Sequence, residues 1–155
     1  MSEFLGVPVS GEITHYTTRM IEQHDPRILL DMLDELLALP HVEAVRWEQY
    51  TPYFNDGDAC VFNIHEATVR LDLSDGEFLY DFDLRTPGKG SSWQERYENS
   101  VYEYEGVDTT EIYSKLYALN CEMGHHEQIL LEKFGDPAQV TYDGREFDVE
   151  FYDHD

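Results

Sequence analysis

The chain has 155 residues, a length that suits one domain and buries roughly 70% of the surface its unfolded form exposes, so a core needs no staple. Apolar residues make up 41% and aromatics 14%, which argues against global disorder. Thirty-three Asp and Glu against ten Lys and Arg give a formal charge of −23. That charge disfavours nucleic acid and anionic membranes as direct ligands, because phosphates repel such a surface.

No stretch approaches the ~20 apolar residues that span a bilayer. The start, Met1-Ser2-Glu3-Phe4-Leu5, lacks the basic and apolar regions of a secretory signal. Cys60 and Cys121 form no Cys-x-x-Cys pair and read as reduced, mostly buried thiols. The expectation is a single cytoplasmic domain over 1–155.

Glu12 to Met20 is compatible with a strand or a helical turn. Asp25-Pro26 then supplies an N-cap and a proline at the first helical position. Ile28, Leu29, Met32, Leu33, Leu36 and Leu37 recur at helical spacing, so a helix is predicted over 26–39, ended by Pro40. Three Asp-Gly steps, at 56–57, 75–76 and 143–144, separate runs of strand character, and Asp-Gly favours tight hairpins. Those runs are Val42–Tyr53 with Cys60–Ile64, Ala67–Leu73 with Phe78–Asp83, and Gln139–Tyr142 with Phe147–Tyr152. Their alternation predicts a sheet with one covered and one wet face, the wet face rich in carboxylates. Pro52 predicts a bend or edge position at the end of the first run.

Residues 84–107, with Pro87, three glycines, Ser91-Ser92 and Asn99-Ser100, read as a long loop. Asp108 followed by Glu111 resembles a capping box. Ile112, Leu116, Leu119, Met123, His126, Leu130 and Phe134 then form one stripe, predicting a helix over 109–134, with Gly124 as the place for a bend and a stop at Gly135. The fold expected is α+β: an antiparallel sheet of hairpins with two main helices packed on one face.

The run Trp47-Glu48-Gln49-Tyr50-Thr51-Pro52-Tyr53-Phe54-Asn55-Asp56-Gly57-Asp58-Ala59-Cys60-Val61-Phe62 resembles a segment of small acidic proteins encoded by bacteriophages, notably phages of actinobacteria. Phe134-Gly135-Asp136, Val140-Thr141 and Phe147 to Tyr152-Asp153-His154-Asp155 are similar to the ends of those proteins. The resemblance covers about half the chain. It implies a phage protein acting inside a bacterial host and brings no activity or catalytic residues with it.

Few constellations carry chemistry. Asn55-Asp56-Gly57-Asp58 concentrates its oxygen ligands in four residues; an EF-hand spreads them over twelve, and although Glu66 falls twelfth, an apolar run intervenes. A hairpin turn is the simpler reading. Glu122-x-x-His125 is half of a di-iron signature that needs a second copy on further helices. Glu122 and His126, four apart, share a helix face and need help from elsewhere to bind zinc; on the apolar stripe His126 reads first as a hydrogen-bonded core residue. The histidines at 15, 24, 41, 65, 125, 126 and 154 are scattered. No nucleophile motif, phosphate loop or dinucleotide fingerprint is present, so no catalytic residue and no cofactor are assigned. Asp56, Asp58, Glu122, His125 and His126 are the weak alternative for a metal.

The acidic distribution is the stronger pointer. Glu95, Glu98, Glu103 and Glu105 interleave with Tyr97, Tyr102 and Tyr104, and Asp148, Glu150, Asp153 and Asp155 fill the tail. Alternate strand residues stand about 6.5–7 Å apart on one face, and carboxylates at that pitch imitate a polyphosphate track. Tyrosines supply rigid contact area. These eleven residues are the candidate contacts for a basic host protein, a nucleic-acid-handling or defence factor. The rival readings are a metal-dependent enzyme, a small-ligand sponge, and a merely solubilising or salt-adapted surface. Sequence leaves the oligomeric state open.

Overall fold

The computed structural model describes residues 2–11, 22–52 and 61–151. The ambivalent segment Glu12–Met20, the Asp56-Gly57 turn with its metal-loop alternative at Asp58, Cys60, and the closing Asp153 and Asp155 lie outside the described residues.

The architecture is α+β. One sheet contains β1 (Ser2–Phe4), β2 (Val7–Gly11), β3 (Val42–Tyr50), β4 (Asn63–Ile64), β5 (Thr68–Leu71), β6 (Phe78–Leu79), β9 (Ala138–Tyr142) and β10 (Phe147–Glu150). Its order is β1-β2-β10-β9-β3-β5-β6, with β4 beside the end of β3. A small hairpin pairs β7 (Glu103–Tyr104) with β8 (Val107–Asp108). The helices are α1 (Pro26–Leu37), a short α2 (Trp93–Glu98), α3 (Thr110–Met123) and α4 (Glu127–Phe134). Every pairing is antiparallel except β2 with β10. There the strands meet closely at Gly11, where an added Cβ would fall 1.9 Å from the Val149 carbonyl oxygen.

Period-two alternation holds along the central strand. Val45, Trp47 and Gln49 are buried, whereas Arg46, Glu48 and Tyr50 are half-exposed on the other face. The buried face joins the helices through the Gln49 amide, which accepts from Trp47 Nε1 at 2.9 Å and donates to the Leu130 and Gly135 carbonyls at 2.9 and 2.7 Å. A buried amide with these groups satisfied locks β3 to the end of α4.

Helix α1 starts as expected: the Asp25 carboxylate accepts from the Arg27 amide at 2.9 Å, with proline at the first turn. Leu29, Leu30, Leu33 and Leu36 are buried, while Ile28 lies at the edge of the stripe, 44% exposed. All seven members of the second stripe, Ile112 to Phe134, are buried. Their helix is nevertheless not continuous. A 3-10 turn over Gly124–His126 separates α3 from α4, and the turn frees the His125 carbonyl to accept from the His24 amide at 2.8 Å. The helix also begins later than the capping box implied. Asp108 ends β8, and its carboxylate accepts from the Thr110 amide and hydroxyl instead.

Three expectations are corrected. Residues 84–107 are not a structureless loop: Thr86 bridges Val101, Ser92 caps α2 through the Glu95 amide, and Glu105-Gly106 turns the β7–β8 hairpin at positive φ. The strand expected over Phe78–Asp83 ends at Leu79, because the Asp83 carboxylate accepts from the Tyr80 amide and a 3-10 turn follows over Asp81–Leu84. Cys121 is an exposed free thiol, on the outer side of α3. The N-terminal β1–β2 hairpin has no Asp-Gly step to announce it. By contrast, Asp75-Gly76 behaves as read: both residues adopt positive φ, and the Glu77 amide donates to the Ser74 carbonyl at 3.0 Å, a tight turn of the primed kind.

Candidate functional site

Two groups of side chains flank α3. The first sits where the α3–α4 break receives residues 22–25. Three bonds fix this junction: His24 amide to His125 carbonyl (2.8 Å), Gln128 amide to Gln23 Oε1 (3.0 Å), and the His125 Nδ1 to Glu22 carbonyl contact (3.1 Å). The junction directs two imidazoles at one carboxylate oxygen. His24 Nδ1 lies 2.6 Å and His126 Nε2 2.7 Å from Glu122 Oε2. The His125 ring stacks on His24, centroids 4.1 Å apart and planes nearly parallel. Burial pushes the Glu122 carboxyl upward, but the hydrogen bonds from His24 and His126 overrule it and hold the group below the ordinary carboxylate range. His126 is fully buried, and burial depresses its pKa against the attraction of Glu122.

The second group lies along the outer side of α3, at the 3-10 turn Asp81–Leu84. Tyr80 and Phe82 stack at 5.2 Å, and both are exposed, Phe82 by 58%. Asp81 neighbours Glu66; desolvation first, then Asp81, raises the Glu66 pKa. These two carboxyls line a cleft of about 400 Å³ with His65, Tyr117 and Asn120. A tyrosine ladder continues along the helix, with Tyr113 4.9 Å from Tyr102 and 6.2 Å from Tyr117. The Arg85 guanidinium lies 4.2 Å over the Tyr97 ring and 5.8 Å from Tyr113. Burial and a hydrogen bond to Tyr97 push the Tyr113 phenol up to about 12, with Arg85 opposing.

The expected contact residues divide between regions. Tyr97 and Tyr102 join the tyrosine ladder, and Tyr104 lies within the fields of Glu105, Glu77 and Asp83. Glu103 and Glu105 are exposed on the small hairpin, and Glu98 is exposed on α2. Glu95 is partly spent internally, its carboxylate accepting from the Ser91 amide and hydroxyl at 2.7 and 3.0 Å. Asp148 and Glu150 stand elsewhere. They lie on β10, four strands from β6, or about 19 Å at ordinary strand spacing. There their fields act on Arg46, and Asp148 accepts from Ser10.

Of the weak metal alternatives, Glu122 and His126 come together and His125 stacks beside them without facing the carboxylate. Sequence reasoning does not single out His24, Glu66, Tyr80, Phe82, Tyr113 or Tyr117, and it reads Asp81 only as one carboxylate along the second hairpin. His24 has no local signal, because it reaches Glu122 across 98 positions. Tyr113 and Tyr117 are readable in principle from their spacing of four on the polar side of the helical pattern.

No family model matches the chain, and no curated protein or solved structure matches it. Among the described residues no helix is long and apolar enough to cross a membrane.

Proposed function

We propose that this is a binding protein that captures a basic host protein on the acidic, tyrosine-bearing face outside α3. The partner is a nucleic-acid-handling or defence factor, whose cleft for nucleic acid the face occupies. The observation that carries the reading is the Glu66–Asp81 pair. Two carboxyls side by side in one cleft, with no lysine or arginine ion-paired to either among the described residues, lack a counter-charge. An incoming guanidinium or ammonium supplies that charge. Around the pair, Tyr80, Phe82 and the 53%-exposed Tyr117 offer rings for packing. Arg85 over Tyr97 is an internal example of the guanidinium–tyrosine geometry such a partner would use. The net charge of −23 adds long-range steering. The likeness to actinobacteriophage proteins directs the search to the cytoplasm of an actinobacterial host.

The test is a binding series against basic nucleic-acid-binding host proteins at rising salt. Expected is a salt-sensitive complex, competed by DNA, that Asp81→Asn and Tyr117→Ala weaken at least tenfold and Asp148→Asn weakens little. Uniform weakening by every acid substitution would reduce the role of this face to net charge. Absence of any salt-sensitive partner would remove the proposal.

A further inference from the structure

We infer that His24, Glu122 and His126 form a three-ligand site for a divalent transition-metal ion, zinc in the first instance, stapling residues 22–25 to the break between α3 and α4. One nitrogen from each imidazole and one carboxylate oxygen lie within 4.8 Å of one another. Two imidazoles and a carboxylate suit zinc, and three protein ligands leave a fourth position for water. Ligand atoms about 2.0–2.2 Å from a tetrahedral zinc stand roughly 3.4 Å apart. The nitrogen–oxygen separations are 2.6 and 2.7 Å, so the ion requires an opening of about 0.7–0.8 Å on each side.

The surroundings provide what such an opening needs. His24 and Glu122 are the outer members, with side chains 30% and 18% exposed, so the ion enters from their side and the adjustment falls on them. The backbone bonds between residues 22–25 and the break place His24 before any ion arrives, which lowers the ordering cost of binding. One feature limits the affinity. His126 Nδ1 is buried with no hydrogen-bond partner among the described residues, so its ring lacks the outer acceptor that metal-bound histidines usually have. Loss of that partner costs about 10–100-fold in affinity.

The break in the helix gains a purpose on this reading. A continuous helix would have kept the His125 carbonyl within its own ladder and left the His24 amide without this acceptor. The site is independent of the acidic face, which needs no metal.

The experiment uses the full chain, stripped with a chelator and titrated with Zn²⁺ by calorimetry and with Co²⁺ by visible absorption. Expected is one high-affinity ion per chain, a visible Co²⁺ spectrum with nitrogen and oxygen ligation, and a thermal midpoint raised by roughly 5–10 °C at saturation. His24→Gln, at a partly exposed position, should keep the metal-free midpoint within a few degrees and weaken Zn²⁺ binding at least tenfold. His41→Gln, past the other end of α1 and paired with Asp72, should leave binding unchanged. Failure of the folded wild type to bind one Zn²⁺ or Co²⁺, or wild-type binding by His24→Gln, overturns the site. His126→Ala removes a buried ring and risks unfolding, so His24→Gln and the wild-type stoichiometry are the deciding measurements.

Discussion

Glu122 and Glu66 are the same residue type in two settings beside α3, and their acidities move in opposite directions. Partial desolvation pushes both carboxyls upward, although Glu66 is exposed at the surface. At Glu122 two imidazoles donate to the carboxylate and reverse the shift. At Glu66 the neighbour is another carboxyl, Asp81, which adds to it. The first group is satisfied by its own chain. The second has no positive partner among the described residues, and the difference separates an internal anchor from a surface ready to receive a cation. Net charge hides this distinction, since both residues count as −1.

The largest effect should come from removing the satisfied carboxylate. Glu122→Ala leaves the buried His126 nitrogen without an acceptor, a loss of about 1–3 kcal/mol. The thermal midpoint should fall by roughly 3–10 °C. Glu66→Gln should act in the other direction, a slight stabilisation of no more than about 0.5 kcal/mol as one member of a like-charged pair is neutralised. Chemical denaturation of the two variants decides the matter, and destabilisation of similar size at both sites would break the comparison.

Acidification tests the same contrast. The folded-state pKa of His126 is lowered from 6.5, so the unfolded chain binds its proton first as pH falls. The stability due to the neutral ring is therefore present above 6.5 and is lost as pH falls through the folded value. Glu122 is depressed below 4.5 and adds a second loss under that pH, with the same sign. The groups facing His126 are Glu122, His24 and His125, and the latter two charges also disfavour its protonation. Relief of the overall −23 charge works in the opposite sense. The quantity to measure is the stability difference between chelator-treated wild type and His126→Gln, in which that global contribution cancels. The wild-type advantage should shrink below pH 6.5, and a difference independent of pH would remove His126 as the cause.

These two regions are unequally legible in the sequence. The buried stripe Ile112 to Phe134 follows from helical spacing, and all its members are buried on both sides of the break in the helix. Glu122 and His126 can be paired for the same reason: four apart is local information. His24 cannot be added, since only the docking of residues 22–25 brings it there. On the acidic side, strand alternation extended past Leu79 conceals the turn that exposes Phe82 and brings Asp81 to Glu66. The competing preference is local: Asp83 accepts from the Tyr80 amide and ends the strand. Asp148 and Glu150 group with the loop acids by composition, yet sheet order sets them four strands from β6.

A smaller effect concerns the binding of a cation at Glu66. Its raised pKa means that the carboxylate is lost on acidification at a higher pH than an ordinary glutamate. Binding of an arginine-rich peptide should therefore weaken as pH falls, beginning above 4.5, and the onset should move lower in Asp81→Asn. Proton release on binding, measured in buffers of different ionisation enthalpy, gives the same information. No proton release on binding near pH 4.5 in wild type would mean that the pair does not meet the cation.

The smallest expected effect is spectroscopic and reports on the tyrosine ladder without a partner. Tyr113 should ionise at about 12, as burial and the Tyr97 hydrogen bond oppose the phenolate more strongly than Arg85 favours it. Tyr97→Phe removes the hydrogen bond and should bring the titration down toward 10, the ordinary value. Arg85→Gln removes the favourable charge and should move it up. Ultraviolet difference titration of these variants resolves the two directions. Opposite movements would establish that Tyr97, Arg85 and Tyr113 act as one unit in solution. Unchanged titration in both variants would mean that α2 does not hold Tyr97 against α3, and the acidic face would then shrink to the Glu66–Asp81 cleft and its immediate rings.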